Sequence, residues 1–205
     1  MINKICTFLT NKIRKEMPEI DDERAEIINY GLQNIIGEIP KIFIMLGIAY
    51  ILGVFQLSLI AFLIILPYRT FSGGFHLKTH IGCIISTTTV YTGTALLAKN
   101  IVLSDITKTI CIVAIWIFGI IMIKLYAPAD TENVPILREK DRKQKQILSY
   151  ITYTIALIIA LVINNQIISN IIIIGYLMQT CMITKIAYKI TKNRYGHEVY
   201  NTSTT

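Results

Sequence analysis

A chain of 205 residues with 53% hydrophobic side chains and only 16% charged ones sits well below the roughly 25% charge of soluble domains. Its mean hydropathy is +0.55, more apolar surface than a soluble protein of this size can hide, which excludes a soluble enzyme and leaves no room for a separate soluble domain. The net charge is +7, and the basic residues come in clusters.

In chain order, the first segment reads as an amphipathic helix over residues 1–17. Ile2, Ile5, Cys6, Leu9 and Ile13 recur at helical spacing, with Lys4, Lys12, Arg14 and Lys15 between or beside them. Such a helix either lies in the membrane interface or packs on the rest of the protein. No continuous apolar core of a cleavable signal is visible in it. The region 42–68 is next, and is either one long span or two short ones broken near Gly53–Ser58. Four plain apolar stretches follow, roughly 81–98, 106–126, 147–163 and 167–187. Each approaches the ~20 helical residues needed to cross a ~30 Å hydrocarbon core. Residues 127–146 read as a solvated loop whose basic end faces lipid headgroups. Residues 195–205 read as a disordered tail, with His197 incidental.

Charge selects among these topologies. Five of the twenty Lys and Arg residues precede position 25, five lie in 138–145 and four in 185–194. Positive loops stay in the cytoplasm, so the number of crossings before residue 127 is even. That requires 42–68 to be split, giving an all-α integral membrane protein of about six membrane helices, a single domain over 1–205 with both ends inside. The second segment then covers only 57–68, about 18 Å of helix. It is expected to be short or re-entrant, placing the next polar stretch in a cavity on the cytoplasmic side.

That stretch is RTFSGGFHLKTHIGC, Arg69 to Cys83, which gathers two of the three histidines, a glycine pair and a cysteine. Polar groups in such surroundings are costly and mark function. Cys6, Cys83, Cys111 and Cys181 form no CxxC pair and no disulfide framework, and Cys111 and Cys181 read as small core residues. Cys83 differs because His76 and His80 stand near it. A cysteine becomes a nucleophile when a base helps to populate its thiolate, and histidine is the usual base near neutrality. On one straight helix His80 and Cys83 are neighbours at i and i+3, whereas His76 is about 10.5 Å away along the axis. Helix geometry alone therefore favours His80, and His76 can act only if 76–83 is not one straight helix, which Gly73-Gly74 and Gly82 permit. A helix starting near Gly82 would put Cys83 at its N-terminus, where the dipole favours a thiolate or an oxyanion.

Arg69, Gly74, His76 and Cys83, with their spacing, resemble the signature of the AgrB family, the accessory gene regulator membrane endopeptidases of quorum sensing. NYGLQNIIGEIPK (29–41) is similar to that family's polar segment before the first span, and YAPADTENVPI (126–136) to its cytoplasmic loop. The resemblance implies that Cys83 attacks a peptide bond of a small AgrD-like precursor, with His76 as general base and acid. The thioester then passes to the precursor's own nucleophile, closing a thiolactone or lactone. It implies substrate or oxyanion contacts from Gln33, Arg69 and Gly74, the glycine pair also shaping the backbone. His80 itself reads as a substrate or interface contact. The resemblance also implies a homodimer, no cofactor, and a 75–82 segment that turns back so that His76 meets Cys83.

Two other classes compete with this reading. Six helices suit a transporter of a small peptide or solute, although charge within the clear spans is confined to Lys108, Lys124 and Lys185 near their edges. His76, His80 and Cys83 could bind zinc with a water in the fourth position, but no acidic residue lies among them to act as base. No nucleotide-binding loop and no nucleic-acid motif is present.

Overall fold

The computed structural model describes residues 2–17, 19–77, 79–132 and 135–201, and among these it is helical without strands. The helices are α1 (Ile2–Glu16), α2 (Asp22–Ile51), α3 (Phe55–Ser72), α4 (His80–Asn100), α5 (Asp105–Tyr126), α6 (Glu139–Val162), α7 (Gln166–Met182), α8 (Lys185–Ile190) and α9 (Gly196–Asn201). Their starts follow local chemistry. Side chains of Asp21, Thr79, Ser104, Asn165 and Thr184 accept backbone N–H bonds from the first turns of α2, α4, α5, α7 and α8. These caps satisfy donors that the helix itself leaves free.

Among the described residues, α3, α4, α5 and α6 are long and apolar enough to cross a membrane. The 17-residue α7 is apolar but shorter, and the second half of α2 supplies a sixth apolar segment. The chain is therefore a multi-pass α-helical membrane protein. The 42–68 region is split as expected. α2 stops at Ile51, Gly53 takes φ +67°, and α3 begins at Phe55.

The second segment needs correction, because α3 is not short. It runs through Pro67 and Arg69 to Ser72, 18 residues in all, or about 27 Å of helix. The Pro-Tyr-Arg sequence reads as a span end only until the interior partners of Arg69 are known.

α7 is the central helix, packed against α3, α4, α5 and α6. Its buried Asn170, Gln179 and Thr180 are affordable because protein rather than lipid surrounds them. Tyr68, Tyr153 and Tyr176 stack where α3, α6 and α7 meet, with centroids 5.0–5.6 Å apart. Each hydroxyl has a partner: Thr180 for Tyr68, Ile115 O for Tyr153 and Ile64 O for Tyr176. Gly119 faces the Tyr153 ring and Gly175 faces Ile65 with no room for a Cβ, the close approach that small residues allow between membrane helices.

The connections sort into two ends. Asn170 Nδ2 donates to Ala98 O and Ile101 O, and Gln166 to Leu103 O, joining the 101–104 and 163–165 turns. At the opposite end, residues 73–74, 127–131 and the α8–α9 segment are bonded together. This alternation matches the even number of crossings inferred from charge.

Helix α1 packs along α2 as a hairpin rather than standing apart from the protein. Cys6 and Thr10 are buried on that face, and Arg14 bridges Asp22 at 2.8 Å. Three other expectations are corrected. The 127–146 stretch is not a solvated loop throughout, since 127–131 are buried and 139–146 belong to α6. Cys181 is an exposed residue, not a core one. The tail is ordered from its start: Tyr195 is buried, Gly196–Asn201 is helical, and His197 is bonded to a buried carboxylate. Residues 202–205 lie outside the described residues.

Candidate active site

The site is built on the link between α3 and α4. Ser72 O accepts from Ala129 N at 2.8 Å, and Gly74 N donates to Ala129 O at 2.9 Å, making a one-residue parallel bridge. Gly73 and Gly74 hold φ of +72° and +138°, conformations that side chains rarely tolerate. Space forbids a side chain as well. A Cβ at Gly73 would strike the Ala129 carbonyl, and one at Gly74 would lie 2.8 Å from Arg69 Nη1.

Arg69, in the last turn of α3, braces this link from within. Its Nη2 donates to Phe75 O at 3.2 Å, and its Nη1 to Gln179 Oε1 at 3.1 Å and toward Met182 Sδ at 3.5 Å. Gln179 Nε2 returns bonds to Gly73 O at 2.8 Å and Ser72 Oγ at 3.1 Å. One guanidinium and one buried amide thus fix the loop to α7. Fork geometry suits Arg for such multiple bonding, and Lys does not reproduce it.

Residues 74–77 are irregular, so 76–83 is not one straight helix. α4 begins at His80, two residues before Gly82, and Cys83 N already donates to Thr79 O at 3.0 Å. Cys83 therefore sits in the first turn with its own amide engaged. Its Sγ donates to Leu77 O at 3.1 Å, which shows the loop folded back over that turn.

Beside the thiol is a cavity of about 170 Å³. Arg69, His76, Cys83, Glu38, Lys41 and Tyr91 line it, with Phe62, Phe75, Val90 and Met182 among its apolar walls. His76 and Cys83 thus share one cavity, although no hydrogen bond joins them and the resting thiol points to Leu77 O. Transfer of its proton to His76 requires the thiol to leave that carbonyl. Gln33 lies on α2 and His80 opens α4, but both side chains are outside the described residues. Among the described residues no three His, Cys, Asp or Glu side chains converge as a metal site.

His76 lines the cavity and is exposed overall, although surrounding protein crowds part of it. That crowding, followed by the Arg69 charge, holds its pKa below the usual histidine value; Glu38 opposes the shift and Lys41 adds to it. The exposure moderates the effect, and its direction favours the neutral imidazole a general base needs.

Sequence reasoning missed Lys41 and Gln179. Lys41 is 8% exposed and pairs with Glu38 at 2.6 Å. The i, i+3 spacing of the two just before an apolar run was the available signal. For Gln179 the signal was an amide inside an apolar span.

The family model for accessory gene regulator B matches residues 6–183. An AgrB-like protein of Listeria innocua is 29% identical over 189 residues, covering 92% of this chain and 91% of its own length. The accessory gene regulator protein B of Staphylococcus aureus strain JH9 is 32% identical over 162 residues, covering 79% and 83% respectively. No solved structure matches. The match contains Gly73, Gly74, His76, Cys83 and the 127–131 loop that braces them, and on it this chain belongs to the accessory gene regulator B family of quorum-sensing membrane proteins.

Proposed function

We propose that this chain is a membrane cysteine endopeptidase that matures a quorum-sensing peptide from a small AgrD-like precursor. The observation that carries the reading is the shared cavity of Cys83 and His76 beneath a loop folded back onto α4. His76 accepts the thiol proton as Sγ attacks the scissile carbonyl carbon. It returns that proton to the leaving amine as the C–N bond breaks. The N-terminal fragment stays on Cys83 as a thioester. A thiol or hydroxyl of the precursor, giving its proton to His76, then attacks the same carbonyl, closes the ring and releases Cys83, which takes that proton back as the thiol. Apolar walls limit water, so the positioned internal nucleophile competes well against hydrolysis. The protein resides in the cell membrane as a homodimer, with its termini and the site on the cytoplasmic face, the side favoured by its basic clusters.

The thioester is the testable species. With a precursor whose own ring-closing nucleophile is replaced by alanine, intact-mass analysis is expected to show its N-terminal fragment attached at Cys83 and released by hydroxylamine. Cleavage that proceeds without such an adduct, and equally well in Cys83→Ala, would rule the reading out.

A pH profile follows from the His76 environment. A histidine held below its ordinary pKa stays neutral as the pH falls past about 6.5, where a free one protonates. Precursor cleavage is expected to be flat through mildly acidic pH and to fall only below the ordinary histidine range. An acid limb centred at the ordinary histidine value would show that the crowding and the Arg69 charge do not act on the base. The same sign makes acidification cost stability, because the unfolded chain binds this proton more readily than the folded one.

A further inference from the structure

The tail after α7 lies outside the residues matched by the family model, which ends at 183, yet it reaches the loop that carries the site. Asp130 is completely buried as a side chain, a costly place for a carboxylate unless it is fully bonded. Two of its four partner groups belong to the tail. Oδ1 meets His197 Nδ1 at 2.6 Å, and Oδ2 accepts from the backbone N–H groups of His197 at 2.9 Å and Ile136 at 3.0 Å. Arg142 Nη1 stands 3.6 Å away. Tyr188 in α8 is buried and donates to both Ala129 O at 3.0 Å and Asp130 O at 2.9 Å. Gly196 is pressed so closely on Thr131 O that a Cβ has no room.

The decisive contact is Ala129 O. It accepts from Tyr188 on one side and from Gly74 N on the other. Gly74 is two residues from His76, and Leu77, one further on, holds the Cys83 thiol. A continuous line of bonds therefore runs from the tail, through 129–130, to the site loop. We propose that His197 and Tyr188 form a latch with Asp130 that positions the 73–77 loop, and with it His76 and Leu77, over Cys83. These are positioning residues, since neither lines the site cavity. The effect on cleavage rests on the peptidase reading above; the effect on the loop does not.

The test uses the full chain with Cys6, Cys111 and Cys181 replaced by serine, reconstituted in lipid nanodiscs. Two quantities are read for native His197, His197→Ala, His197→Asn and Tyr188→Phe: precursor cleavage, and alkylation of Cys83 by iodoacetamide. His197→Ala is expected to lower kcat about tenfold or more with KM within about twofold, since small misplacements of reacting groups are expensive. It is also expected to speed Cys83 alkylation about fivefold, as local opening frees the thiol from Leu77 O. His197→Asn keeps an N–H where Nδ1 stood and should restore both values to near native. If His197→Ala does not purify as a folded protein, Tyr188→Phe decides by the same two readouts. Alkylation and kcat both within twofold of native in the decisive variant overturns the latch. So does an asparagine variant that behaves like alanine. Altered alkylation in a chain that cleaves nothing even with native His197 upholds the latch and rejects Cys83 as a peptidase nucleophile.

Discussion

Cys83→Ala is expected to abolish precursor cleavage, and His76→Ala to slow it about a thousandfold or more, while His80→Ala stays within a few-fold of the native rate. Co-expression with the cognate precursor, followed by its mass, measures all three. The size of the first two effects follows from how such pairs act. The nucleophile and its base work as one unit, so losing either forfeits nearly all of the covalent route. His80 is the necessary control, because α4 places it one turn before Cys83 on the same helix. A dead His80→Ala with an active His76→Ala would assign the base to that helical neighbour. It would leave His76 as a wall of the cavity. His76 is favoured because it lines the cavity with Cys83 and its surroundings keep it neutral.

Arg69→Ala is expected to destabilise the protein by about 2–3 kcal/mol, within the range for a lost hydrogen-bonding charge and the acceptors it leaves behind. Precursor cleavage is expected to fall about ten- to a hundredfold with it. Gln179 Oε1 and Phe75 O lose their donor, and the loop carrying His76 is no longer tied to α7. Arg69→Lys should rescue little, since one ammonium on a flexible stem does not reach both acceptors in the same geometry. Thermal denaturation in detergent, alongside kcat and KM, separates the possible roles. Loss of cleavage through KM with unchanged stability would make Arg69 a substrate-binding residue instead of a brace.

The apolar membrane helices and the histidine–cysteine stretch were legible in the sequence for simple reasons. Long apolar runs have few alternatives to membrane helices, and basic clusters choose a side. Gly53 and the charge count together split 42–68, and α2 and α3 part there. The extent of α3 was not legible. Whether a helix continues through Pro67 to Arg69 depends on whether the guanidinium finds partners inside, and one of them, Gln179, is 110 residues away on α7. The tail failed for the same reason. YGHEVYN has no apolar run to declare it ordered, and its order comes from Asp130, 67 residues earlier.

The sequence by itself determined a multi-span helical protein with a histidine–cysteine stretch facing one side, because hydropathy, charge placement and backbone-permissive glycines act locally. Only the tertiary structure decided which groups that stretch meets. Its bend, its Arg69 brace and its tie to the tail all rest on contacts between distant segments. In a low-dielectric interior every such polar group must find its partner, and no local pattern says which one it will find.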